Sequence, residues 1–198
     1  LTYKLAIAAG IKMSESRIEK VAGNYYTFFT RRFDRIREER VHFASAMTMT
    51  GNNEETLHDK RVSYLDLSLF IQDHGGNIKE DLAELWRRIV FNIAVSNTDD
   101  HLRNHGFIIE KGAWRLSPAY DVNPSIDKDE LALNIDERSG ALDFELALGV
   151  AEYFRLTSKE SQSIIFQVLE VVRNWEKTAK QVGISRSEIE IMKPAFRF

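Results

Sequence analysis

The sequence predicts an α+β fold that is predominantly α-helical, with a few short strands and one small hairpin. Three observations carry this prediction. Between Asp81 and Val95, the residues Leu82, Leu85, Trp86, Ile89, Val90 and Ile93 recur at helical spacing, leaving Arg87, Arg88 and Asn92 on other faces. Thr157 to Glu160 and Ser185 to Glu188 have capping-box spacing at two helix starts in the C-terminal third. Two short apolar segments on either side of Lys111-Gly112 read as a hairpin.

The remaining elements follow in order. Leu1 to Ala9 reads as the end of a helix with Leu5, Ala8 and Ala9 on its apolar side, and Gly10 suits the position just past its end. Tyr25 to Phe33, rich in aromatic and β-branched residues, reads as a strand ending in the charged cluster RRFDR. From Ile36 to about Val62 the chain is polar, and Gly51, Asn52, Asn53, Glu54 and Glu55 mark a loop. Only Val41 to Met49 looks able to pack there. Pro118 and Pro124 bracket a rigid loop. Ile164, Val168, Val171, Trp175 and Val182 form an apolar stripe, expected to be one helix from Ser158 to Val182 that stops at Gly183. There is no internal repeat and no low-complexity tract.

The bulk properties exclude several function classes. A chain of 198 residues suits one domain, or one lobe of a larger protein, over 1–198. The formal net charge of -3 supplies no global basic field for nucleic acid or an anionic membrane. There are no cysteines, which excludes disulfides, thiolate chemistry and cysteine-ligated zinc, and suits a reducing cytoplasm. No apolar run approaches the roughly 20 residues that span a bilayer. The first residues, LTYKLAIAAGIKMSESR, carry no signal-peptide pattern and no initiator methionine. They open inside a helix, so the expectation is a piece of a longer protein.

Chemistry concentrates after the long helix. Asn97, Thr98, Asp99, Asp100, His101, Leu102, Arg103 and Asn104 follow it at once, then the hairpin, then Tyr120-Asp121. Phosphoryl transfer needs a carboxylate to take the proton of the attacking hydroxyl and oxygen ligands to hold Mg²⁺ against the nucleotide phosphates. Kinases take these from a loop with Asp and Asn five positions apart, and from a second Asp beyond a following hairpin. Asp99, Asn104 and Asp121 have that order and spacing. Each piece alone has a plainer reading: turn residues after a helix, a turn-forming Asp between prolines, a structural histidine. The ordered combination is what points to a kinase.

Other chemistries fit less well. A metal-dependent hydrolase could use His101 and His105, four apart, but Leu102 stands where H-E-x-x-H requires Glu. Arg31, Arg32, Arg35, Arg37 and Arg40 could meet DNA. Interleaved with Asp34, Glu38 and Glu39, they read instead as a solvated, salt-bridged face.

NTDDHLRNHGF and WRLSPAYDV resemble the catalytic and metal-binding segments of HipA-like serine/threonine kinases, with patterns N/T-D-x-H-x-x-N and L-x-P-x-Y-D. RRFDR, Arg31 to Arg35, is similar to their hinge motif, and YKLAIAAGIKM resembles the helix after their nucleotide-binding lysine. LALNID and the capped C-terminal helices are similar to the family's tail, so the resemblance spans nearly the whole chain. It implies the C-terminal lobe of a kinase-like fold acting with ATP and Mg²⁺. Asp99 would be the catalytic base, and Asn104 and Asp121 the Mg²⁺ ligands. His101 would brace the catalytic loop, and Arg32, Phe33 and Asp34 would line the adenine pocket. Asp100 and Arg31 are assigned no role.

The resemblance also implies a cytoplasmic toxin. Its partners would be a helix-turn-helix antitoxin, DNA only through that antitoxin, and a protein substrate. Some members of the family phosphorylate aminoacyl-tRNA synthetases. The family's phosphate-binding loop and ATP-pairing lysine precede its first matched helix. No G-x-G-x-x-G or G-x-x-x-x-G-K-[ST] occurs here, and Lys4 and Lys12 merely flank a helix. The expectation is therefore that 1–198 alone folds but is inactive, with apolar surface exposed at Tyr3, Tyr25 or Phe28. The alternative is a non-catalytic, kinase-like docking module.

Overall fold

The computed structural model describes residues 1–53 and 62–198. Among the described residues the elements run α1 (Thr2–Ala8), β1 (Ser16–Glu19), β2 (Thr27–Thr30), β3 (Arg35–Ile36), β4 (Glu39–Arg40), β5 (Phe43–Ser45), α2 (Ala46–Met49), α3 (Tyr64–His74) and α4 (Ile78–Val95). They continue with β6 (Gly106–Glu110), β7 (Ala113–Leu116), α5 (Phe144–Gly149), α6 (Ser158–Val172), α7 (Trp175–Gln181) and α8 (Arg186–Met192).

Helix α4 is the axis of the core. The six apolar residues that predict it are all fully buried, as are Phe91, Ala94 and Val95. Burying a side chain of this size contributes about 1.5–3 kcal/mol, so this helix dominates the packing. Helices α3, α5 and α6 and strand β7 pack around it. The helix stops at Ser96, whose left-handed backbone (φ 50°, ψ 50°) turns the chain out of helical register. That turn delivers the segment where chemistry is expected.

Strands β5, β6 and β7 form one antiparallel sheet, with Ala44 opposite Phe107 and Phe107 opposite Leu116. The predicted hairpin is β6–β7. Its turn residues Lys111 (φ 52°) and Gly112 (φ 82°) both take positive φ, as a two-residue turn matching strand twist requires. A Cβ on Gly106 would collide with the ring of Phe43, so only glycine lets β5 close on β6 there. Both predicted capping boxes are present, at Thr157/Glu160 and Ser185/Glu188.

Four features depart from the sequence expectation. The stripe from Ser158 to Val182 is two helices, because α6 ends at Val172 and the chain turns at Arg173-Asn174. The turn places the Trp175 indole flat on Phe196, with centroids 3.9 Å apart and planes 7° apart. The aromatic strand is shorter, Thr27–Thr30, and pairs with β1, placing Ile18 opposite Phe28. Helix α3 has no apolar period as clear as that of α4, yet Ser63 and Asp66 form a third capping box at its start. Within the polar stretch, Val41 to Met49 does pack, as β5 and α2, and a two-stranded hairpin β3–β4 precedes it. The predicted loop residues Glu54 and Glu55 lie outside the described residues.

The β1–β2 hairpin stands off the core with both faces open. Tyr25 is 85% exposed and Phe28 65%, while Tyr3 is half-buried. Among the described residues no helix is long and apolar enough to cross a membrane.

Candidate active site

Beyond Ser96 the loop 97–105 is pinned by the buried Leu102, at the start of a short 3-10 turn, Leu102–Asn104. Its two adjacent acids part company. Asp99 is exposed, whereas Asp100 is 3% exposed. Three donors converge on Asp100 Oδ2: Asn92 Nδ2 at 2.9 Å, the Tyr64 hydroxyl, and His105 Nε2 at 2.8 Å. A carboxylate oxygen can only accept, so His105 donates from a proton on Nε2. Burial first, and the Asp100 charge second, push the Tyr64 hydroxyl well above the ordinary tyrosine range. The sequence reading assigned Asp100 no role. In the structure it joins α3, α4 and the loop.

The brace expected of His101 comes from His105. The His101 ring makes no hydrogen bond among the described residues, and its buried Nδ1 is unpartnered. The two histidines sit at opposite ends of the 3-10 turn, and His105 Nε2 is taken by Asp100. Among the described residues no group of three or more His, Asp or Glu could hold a metal ion. The histidine-based hydrolase alternative thus finds no such ligand set among the described residues.

Asn104 is 7% exposed and donates from Nδ2 to the Asp99 carbonyl at 3.2 Å. Its Oδ1 makes no hydrogen bond among the described residues. The second loop, 117–123, is fixed along its length. Ser117 donates its N–H to the Gly106 carbonyl at 2.9 Å and accepts from Arg88 Nη2 at 2.8 Å. Ala119 pairs with the segment after α1, donating to Lys12 O at 2.7 Å and accepting from Ser14 N at 2.8 Å. Tyr120 donates its hydroxyl to the Arg103 carbonyl at 2.7 Å, crossing to the first loop. Burial chiefly pushes that hydroxyl up to about 12. Asp121 is exposed, has φ 55°, and accepts at Oδ1 from Asn123 Nδ2 at 2.9 Å.

Between the loops lies a cavity of about 10 Å³, lined by Arg88, Asn92, Asp100, Asn104, His105 and Tyr120 among others. It is about the size of one water molecule. Arg88 Nη1 and His105 Nδ1 are buried without a protein partner among the described residues. Arg88 also pairs with Glu84, Nε to Oε1, at 3.0 Å, and Glu84 Oε1 accepts the Lys12 N–H at 3.1 Å.

The residues expected to form the hinge lie beside the second loop. Arg32 clamps Asp34 with two bonds, Nε to Oδ1 at 2.8 Å and Nη2 to Oδ2 at 2.6 Å, and this bond holds the Asp34 carboxyl below its usual range. The Phe33 ring stacks on Tyr120, centroids 5.7 Å apart, and meets Phe43 edge-on at 5.4 Å. An open groove of about 240 Å³ runs past Met13, Ser14, Glu15, Arg32, Phe33 and Pro118. Arg31, given no role from sequence, pairs with Glu15. Of the predicted residues, hinge and Asp121 loop meet through Phe33 and Tyr120, and the Asp99 loop joins them through Tyr120 and Arg103. Sequence reasoning missed Tyr64, Arg88 and Asn92. Only the capping box at Ser63 signalled that an ordered element begins at Tyr64.

The model of the HipA-like C-terminal domain matches residues 1–192. The chain belongs to that family. A Haemophilus influenzae protein named "Putative kinase" is 27% identical over 131 residues, covering 61% of this chain and 38% of its own length. Shewanella oneidensis HipA, in a complex of toxin, antitoxin HipB and operator DNA, superposes with TM-score 0.74 at 15% identity. That match covers 98% of this chain and 51% of the HipA chain. The Helicobacter pylori proinflammatory kinase CtkA superposes with TM-score 0.55 at 12% identity, covering 86% of this chain and 80% of CtkA. The fold is thus kinase-like, of the HipA kind. The chain spans well under half the length of the Haemophilus relative and about half of HipA.

Proposed function

We propose that this chain carries the catalytic loop, metal ligands and hinge of a kinase that transfers the γ-phosphoryl group of ATP to a serine or threonine of a protein. One observation carries this most: an exposed Asp99 and an exposed Asp121 stand on two loops tied to one another beside the Phe33 hinge. Asp99 takes the proton of the attacking hydroxyl as its oxygen bonds to the γ-phosphorus and ADP leaves. Asn104 Oδ1 and the Asp121 carboxylate would hold Mg²⁺. The donor set fits, being hard oxygens, and Asn104 Oδ1 has no hydrogen bond among the described residues. When bound, Mg²⁺ neutralises charge on the transferring phosphoryl group.

Phe33 lines the adenine side. Its backbone N–H and C=O make no hydrogen bond among the described residues, which leaves them for a purine edge. The Arg32–Asp34 clamp keeps that segment in shape. Asp100 and His105 act behind the loop, holding the backbone that presents Asp99. No residue assigned here grips the β- and γ-phosphates, so residues 1–198 alone should fold but show no specific phosphoryl transfer. By likeness to HipA, its partners are a helix-turn-helix antitoxin, DNA through that antitoxin, and a protein substrate in the cytoplasm, where the parent acts as a toxin.

The test uses the full gene product with Mg-ATP and a generic protein substrate. Phosphoserine or phosphothreonine should form, and Asp121→Asn should weaken both Mg-nucleotide binding and turnover. Nucleotide binding without any transfer would instead favour the docking-module alternative.

A further inference from the structure

The amides of Asn92, Asn97 and Asn123 form a directed chain from Asp100 to Asp121. Asn92 Nδ2 donates to Asp100 Oδ2 at 2.9 Å. Asn97 Nδ2 donates to Asn92 Oδ1 at 3.1 Å, and the Asn123 backbone N–H donates to Asn97 Oδ1 at 3.2 Å. Asn123 Nδ2 then donates to Asp121 Oδ1 at 2.9 Å. Asn97 is 1% exposed and follows the left-handed Ser96 that ends α4. We propose that Asn97 is a positioning residue, whose carboxamide sets where the Asp121 carboxylate stands relative to the loop bearing Asp99 and Asn104.

This rests on the phosphoryl-transfer function above. The chemistry of the position admits little else. A short side chain must donate at one end and accept at the other, and among side chains of this length only a carboxamide does so with a fixed sense. The sense is set by Asp100. Its carboxylate requires Asn92 to present Nδ2, which leaves Asn92 Oδ1 facing Asn97, so Asn97 must donate there and accept from Asn123. Flipping any amide would set two oxygens against each other. The two inner bonds, Asn92 to Asp100 and Asn97 to Asn92, are buried and polarise one another. A second strap runs beside the first: Ser125 donates its N–H to the Ser96 carbonyl at 3.0 Å, and Arg197 Nε donates to Ser96 Oγ at 3.0 Å. The strap fixes the backbone after Asp121 but reaches no side chain of the site. The Asn97 chain does, through Asn123, and Asp121 holds a positive φ that needs such support.

Asn97→Asp keeps the shape and the acceptor for Asn123 but removes the donor to Asn92. In the full gene product with a non-hydrolysable ATP analogue, Mn²⁺ affinity is read from the electron paramagnetic resonance of free Mn²⁺. The variant should bind Mn²⁺ on the order of tenfold more weakly, as loss of one well-made buried bond converts. The Mg²⁺ concentration for half-maximal rate should rise in step, high Mg²⁺ should restore much of the rate, and analogue binding without metal should be unchanged. A lower melting temperature with unchanged Mn²⁺ affinity would make Asn97 merely structural and overturn the proposal. Should Asn97→Asp not fold, the exposed Asn123→Ala decides, since it cuts the same chain at its last bond. A several-fold loss of Mn²⁺ affinity supports the proposal, and none overturns it. Asp121→Asn serves as the reference: unchanged Mn²⁺ affinity in that variant would remove the metal-site assignment itself, and this inference with it.

Discussion

The rings of Phe33 and Tyr120 lie 5.7 Å apart with 29° between their planes, so the proposed hinge rests on the residue that immediately precedes Asp121. One apolar contact thus couples the proposed nucleotide side of the cleft to the proposed metal loop. Tyr120 passes that contact on, through its hydroxyl, to the Arg103 carbonyl.

Removing the ring should show where it acts. Phe33→Ala should weaken ATP binding about 2–10-fold, the value of one aromatic pair, and lower kcat less. Steady-state kinetics in the full gene product separate the two. Unchanged KM for ATP with a large fall in kcat would take Phe33 off the nucleotide side.

The adjacent acids should give opposite results. Asp100→Asn removes the charge on which three buried donors converge and should cost about 1–3 kcal/mol in urea unfolding. Asp99→Asn, on an exposed residue, should change stability by less than about 0.5 kcal/mol. Equal effects would mean that the burial contrast does not describe the protein in solution.

Arg88 joins α4 to the Asp121 loop from a buried position. Arg88→Met leaves the Glu84 charge without its partner and should cost about 3–5 kcal/mol. Adding Glu84→Gln should recover part of that loss, because the orphaned charge goes with it. No recovery in the double variant would assign the cost to the lost Ser117 bond.

Alkaline pH should weaken the fold through Tyr64. Its folded pKa lies above the ordinary value of 10.0, so its contribution is fully present below that pH and is lost as pH rises through the folded value. Above about pH 10 wild-type stability should fall, and Tyr64→Phe should flatten the slope by up to about 1.4 kcal/mol per pH unit. Denaturant titrations between pH 9 and 11 measure this. Identical slopes would show that Tyr64 is not the group responsible.

What was legible in the sequence was what depends on local pattern. The period of α4, the Lys111-Gly112 turn and the two capping boxes each need only neighbouring residues. The order of the two loops bearing Asp99, Asn104 and Asp121 also reads from the sequence, and the link between them is the Tyr120 bond to the Arg103 carbonyl. The misses are contacts between distant segments. Asp100 looked idle because its partners Tyr64 and Asn92 lie on two other helices, 36 and 8 residues away. The resemblance assigns the brace to His101, whereas it is the His105 ring that meets the buried Asp100, a contact that spacing alone does not reveal. The break at Arg173-Asn174 has no Gly or Pro to announce it; stacking of Trp175 on Phe196, far along the chain, accompanies it.

The central claim is that Asp99 acts as the base of a phosphoryl transfer, and one rate tests it most directly. In the full gene product with saturating Mg-ATP, Asp99→Asn should lower kcat by a factor on the order of 10²–10⁴, with the melting temperature and nucleotide affinity retained. A folded Asp99→Asn protein turning over near the wild-type rate would contradict the account.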